Sequence, residues 1–108
     1  MSDKIQPVTI STRAAAEIRK IMETKNIPAE YGLRVGIKGG GCGGAAPLIG
    51  FDKRKETDQD YNIKGITVYI DKRHTMFIFG KEVDFYDGDD ARGFMFVEPE
   101  ENQNKQPE

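Results

Sequence analysis

Cysteine and histidine are the scarcest chemically versatile residues in this chain of 108, with one of each, Cys42 and His74. One thiol cannot close an intrachain disulfide, and one imidazole cannot build a histidine-rich metal cage. Disulfide scaffolds and zinc fingers are therefore excluded, as are Cys–His nucleophile pairs with a choice of histidines. Long apolar runs are missing too: nothing approaches the roughly 18 residues of a membrane span, so no membrane partner is expected. The opening MSDKIQPVTI lacks the apolar stretch of a secretion signal, which makes a cytoplasmic location the expectation. Nor is there a basic excess. Sixteen Lys and Arg face eighteen Asp and Glu, a net charge of −2, whereas a protein that grips nucleic acid by charge is normally basic. The length suits one small domain with a single core.

What is present reads as one helix followed by short strands. Ser11 is a good N-cap, and Ala14, Ile18, Ile21, Met22 and Lys25 form a one-sided stripe at helical spacing. Asn26 and Pro28 end it, since proline disfavours a helical residue before it. The period then falls to two. Leu33, Val35 and Ile37 alternate with Arg34, Gly36 and Lys38, and Ile66, Val68 and Ile70 alternate with Thr67, Tyr69 and Asp71. Ala46 to Phe51 is a further apolar run. Lys53 to Asp60 is wholly polar and predicts a solvated loop, and Met76 to Phe79 is an apolar patch of undetermined type. Val83 and Phe85 precede a turn at Asp87-Gly88-Asp89-Asp90, and Phe94 to Val97 closes the apolar pattern. The expected fold class is α+β: a compact, β-rich single domain whose early amphipathic helix packs on short mixed or antiparallel strands.

Residues 1–97 are read as that domain. Residues 98–108, EPEENQNKQPE, contain no aliphatic or aromatic side chain and set four glutamates against one lysine. Such a segment buries too little surface to offset its ordering entropy and reads as an acidic disordered tail.

The most unusual stretch is Gly39-Gly40-Gly41-Cys42-Gly43-Gly44, directly after a strand. Five glycines are costly as mere connection, because each loses much backbone entropy on folding. Their amides can converge into an anion-binding nest. The Lys-Ser/Thr of a phosphate loop is absent, and Ala45-Ala46-Pro47 follows instead. Bare backbone can equally leave Cys42 open as a thiolate for a soft metal or a cluster. In a third reading Cys42 is a small buried residue in a turn. A nucleophilic role would need a base nearby, and His74 lies in a different segment.

Taken in order, the helix, GLRVGIKGGGCGG (residues 32–44), GFD (50–52), GITVYID (65–71), Gly80 with Val83-Asp84-Phe85, and GFMF (93–96) before Pro99 resemble one family. It is the A-type iron–sulfur carrier family, the HesB/IscA family of cluster-assembly proteins. The resemblance runs from about Val8 to Pro99. It implies a non-enzymatic accessory protein that binds an iron–sulfur cluster or iron, forms a homo-oligomer, and meets assembly or recipient proteins. By position, Cys42 matches the family's loop cysteine and is the implied metal and cofactor ligand.

The family's second ligand pair, a C-terminal Cys-Gly-Cys, has no counterpart here. Gly43 also stands where serine is frequent, and Pro47 where a bulky residue is common. A cluster commonly takes four protein thiolates, so one cysteine per chain leaves the set incomplete. Glu98, Glu100 and Glu101 lie near the missing pair in sequence and are candidate oxygen ligands, harder and weaker than thiolate. The alternative is an interaction module that keeps the fold and binds no metal. His74 reads as a surface histidine in a polar turn. The acidic run from Asp84 to Asp90 lacks the spacing of a calcium loop and reads as a charged turn.

Overall fold

In the computed structural model of the protein, the residues described are 6–39 and 45–99. Strand β1 (Val8–Ile10) leads into helix α1 (Thr12–Thr24), and β2 (Tyr31–Gly39), β3 (Ala45–Lys53), β4 (Asp58–Ile63) and β5 (Ile66–Asp71) follow. A 3-10 turn (Lys72–His74), a short helix α2 (Thr75–Ile78), β6 (Lys81–Asp87) and β7 (Arg92–Val97) complete the order. The strands form two sheets, β1-β6-β7 and β3-β2-β5-β4. Both are mixed: β1 runs parallel to β6 and β2 parallel to β5, while the remaining pairs are antiparallel. This is the expected α+β class. Among the described residues, no helix is long and apolar enough to cross a membrane.

Helix α1 begins where its sequence says it should. The Ser11 hydroxyl accepts from the Ala14 amide at 3.1 Å and in turn donates to Asp84 on β6 at 2.7 Å. Arg13 closes on the same carboxylate through two bonds of 2.8 and 2.9 Å, so the helix start is pinned to β6. Asp84 therefore belongs to this junction and not to the turn that follows. The turn itself is real, with the Gly88 amide donating to the Ala91 carbonyl and Arg92 reaching back to Asp87. Ala14, Ala15 and Ile18 face a single apolar cluster that also takes Val8 and Ile10 from β1, Leu33 and Val35 from β2, and Val68 and Ile70 from β5.

The polar stretch 53–60 is only partly a loop. Its middle, 54–57, connects two strands, but β4 starts at Asp58, and that side chain is 0% exposed. The burial is possible because every demand of the carboxylate is met. Arg34 on β2 donates to both Asp58 oxygens at 2.7 Å, and the Lys55 amide donates at 2.7 Å. The same guanidinium donates to Asp52 and to the Lys53 carbonyl, both on β3, at 3.0 Å. One side chain thus ties β2, β3 and β4 together. β4 then turns into β5 through Lys64 and Gly65, both at positive φ, as a two-residue hairpin requires.

Removing one partner of a buried ion pair strands the other without compensation. Asp58→Ala should cost about 3–5 kcal/mol of stability, measured by urea unfolding; a loss within the scatter of surface substitutions would contradict this account. Acid should act through the same groups. Arg34 holds the Asp58 carboxyl below the usual carboxylate range, against the opposing effect of burial. Arg13, Ser11 and the Phe85 amide do the same for Asp84. Both groups bind their proton less tightly folded than unfolded. Their stabilisation is therefore full above the unfolded value of roughly 3.9, and is lost as pH falls through it toward the folded values. Urea midpoints should hold from neutral to about pH 5 and drop below that, with a shallower drop in Asp84→Asn.

Candidate metal centre

Strands β2 and β3 form a nine-residue hairpin ladder whose register runs from Tyr31 opposite Lys53 to Gly39 opposite Ala45. The connection between the paired ends is therefore 40–44, Gly-Gly-Cys-Gly-Gly, with Cys42 as its middle residue. Cys42 itself lies outside the described residues, as do Glu100 and Glu101. The fourth candidate ligand, Glu98, is described. It follows the last residue of β7, is largely exposed, and stands 3.6 Å from the Lys81 ammonium. Among the described residues, no group of three or more His, Cys, Asp or Glu side chains is placed to hold a metal ion.

The hairpin outruns the sheet that carries it. β2 is paired with β5 only at Leu33 and Arg34, whereas its ladder with β3 continues to Gly39. β5 stops because Asp71 caps the turn after it. Its carboxylate accepts from the Arg73 amide at 2.9 Å and from the Arg73 guanidinium and the Thr57 hydroxyl, and these bonds hold its carboxyl far below the carboxylate range. The capped turn delivers His74 back onto β2. There Nδ1 accepts a hydrogen bond from the Ile37 amide at 3.3 Å, and the half-buried ring lies over Gly36.

His74 is thus not the free surface histidine of a polar turn. Composition could not reveal this, because the residue it docks on is a glycine in a distant strand. The one sequence signal was Gly36 itself, a missing side chain between Val35 and Ile37. Beside the ring is an open cleft of about 240 Å³, bordered by Arg34, Leu48, Lys55 and Thr57.

The apolar patch at 76–79 resolves into the short helix α2 and the residue after it. Ile78 is buried, while Met76, Phe77 and Phe79 remain 77%, 60% and 60% exposed.

A family of proteins for iron–sulphur cluster biosynthesis is matched by residues 6–106 of the chain. The chain belongs to this family. An Enterobacter protein named iron-binding protein IscA is 33% identical over 93 residues, covering 85% of this chain and 85% of that one. The iron–sulfur cluster insertion protein ErpA of Xanthomonas campestris is 33% identical over 95 residues, covering 87% of this chain and 73% of that one. The crystal structure of Escherichia coli SufA, involved in biosynthesis of iron–sulfur clusters, superposes with a TM-score of 0.70 at 27% identity. That match covers 92% of this chain and 87% of the SufA chain. Membership of the iron–sulphur cluster biosynthesis family carries a general accessory role in assembly, as a carrier and not as an enzyme. Contact with assembly or recipient proteins goes with that role.

Within this family fold, α2 separates cleanly into a buried anchor and an exposed surface. Ile78→Ala should destabilise by about 2–5 kcal/mol through the cavity it leaves. Met76→Ser and Phe77→Ser should each change stability by less than about 0.5 kcal/mol. Thermal or urea unfolding of the three variants checks the contrast.

Proposed function

We propose that the protein binds iron or an iron–sulfur cluster as cargo and passes it on, with Cys42 as its thiolate ligand. The observation that carries this reading is the placement of the lone thiol. It is the middle residue of a five-residue glycine connection whose ends are held opposite each other by Gly39 and Ala45, in a chain of the cluster-biosynthesis family. Neighbours without side chains leave the sulfur approachable by a bulky inorganic group.

One thiol per chain sets the ligand arithmetic. A homodimer supplies two thiolates and a tetramer four, the number a cluster commonly takes. The protein is accordingly proposed to be a homo-oligomer that holds its cargo between subunits. A dimer would complete the set with oxygen donors, for which Glu98, Glu100 and Glu101 are the candidates, or with a small thiol or a thiolate of a partner protein. Harder oxygen ligands would hold the cargo more loosely than thiolate, which suits delivery better than storage. The domain is taken as residues 1–97 with an acidic tail over 98–108, working in the cytoplasm.

A second reading is an interaction module that keeps the fold and binds no metal. It is favoured by the missing C-terminal cysteines and by the exposed Met76, Phe77 and Phe79. Anaerobic reconstitution with iron and sulfide, with solution mass measured alongside, separates the two. The carrier reading expects visible absorption that Cys42→Ser abolishes, and an assembly that gathers at least two thiols. A colourless product with no bound iron would remove it and leave the module.

A further inference from the structure

The distal part of the β2–β3 hairpin projects beyond the end of β5, and Ile37 is where a hydrogen bond ties that overhang to the rest of the molecule. Its amide is turned away from β3, toward His74. Opposite it on β3 stands Pro47, in a pair whose backbone N–H and C=O positions face away from each other, so a proline costs the β2–β3 ladder no bond there. In a longer β5 a backbone carbonyl would meet the Ile37 amide. Here the strand has already turned at Asp71, and an imidazole nitrogen takes the carbonyl's place.

The fit between ring and strand is specific. A Cβ built on Gly36 would lie 2.5 Å from His74 Nδ1, closer than any real contact, so the imidazole reaches the amide only because residue 36 has no side chain. Gly36 is thus matched to His74, whose bond to the adjacent Ile37 spans 37 residues of sequence.

We infer that His74 is a positioning residue for the cargo site: its Nδ1 clips the overhanging end of β2 and so sets the base from which the Cys42 connection springs. This rests on the reading of Cys42 as the cargo ligand. Ile37 is two residues from Gly39, where the last described pair of the ladder closes the connection. Loss of the clip frees the lateral edge of the strand that delivers the thiol, while the apolar cluster below it is untouched.

The test exploits amide geometry. The Asn side-chain oxygen can occupy the place of imidazole Nδ1, so His74→Asn keeps the acceptor and His74→Ala deletes it. Three quantities are compared in the full-length protein: hydrogen exchange of the Ile37 amide, alkylation of Cys42 by iodoacetamide in the metal-free protein, and release of reconstituted iron to a chelator. In His74→Ala, exchange at Ile37 should quicken about tenfold, the worth of one hydrogen bond, and alkylation and iron release should both quicken. His74→Asn should restore all three. Gly36→Ala, which displaces the ring, should behave like His74→Ala.

Unchanged Ile37 exchange in His74→Ala would overturn the clip. Faster exchange with unaltered alkylation and release would overturn the positioning role and leave a structural contact. Iron retained by Cys42→Ser would instead bring down the cargo reading, a result distinct from either.

Discussion

The ion pair between Arg34 and Asp58 is the constraint on which the larger sheet depends. A fully buried carboxylate is tolerable only with near-complete compensation, and here it receives a bidentate guanidinium and a backbone amide. The same guanidinium uses two further donors on Asp52 and the Lys53 carbonyl. Because β2 touches β5 through a short parallel stretch, backbone pairing alone would hold that part of the sheet weakly. The charge network supplies the missing cross-links and fixes how β3 and β4 flank the pair between them. It also leaves the distal half of the β2–β3 hairpin free of such bonds, and that half carries the glycine connection.

The molecule therefore divides along β2. Residues up to Arg34 are locked by charge and by the apolar cluster. Beyond it Val35 still lies in the cluster and Ile37 packs against it, but the backbone pairing with β5 has ended and the Ile37 amide is held on an imidazole. On the proposed function, a single strand would serve as both the fixed frame and the delivery end. The proposed function and the proposed role of His74 are two sides of this division.

Much of the fold was legible in local pattern. Ser11 and the stripe at Ala14, Ile18 and Met22 marked the helix, and the alternation at Leu33-Val35-Ile37 and Ile66-Val68-Ile70 marked two strands. β4 was hidden because Asp58 reads as solvent-facing until Arg34 is known to cover it, which is a tertiary fact. β1 was hidden because its three residues gain strand geometry only from a parallel partner more than seventy residues away. At the candidate site, Cys42 stood out by composition alone. The docking of His74 on Gly36 did not, since it depends on where β5 stops, and that is decided by the capping of Asp71.

The pairing of β1 with β6 has a consequence for how the chain comes into being. The helix is made early, yet the carboxylate that fastens its first turn, Asp84, lies 73 residues beyond Ser11. On the ribosome the first turn of α1 cannot be fastened to β6 until Asp84 has emerged, although Leu33, Val35, Val68 and Ile70 of its apolar cluster are made before then. Contacts of such long range make folding slow to begin, so a nascent chain of this design carries an unfastened helix start through the synthesis of β2 to β5.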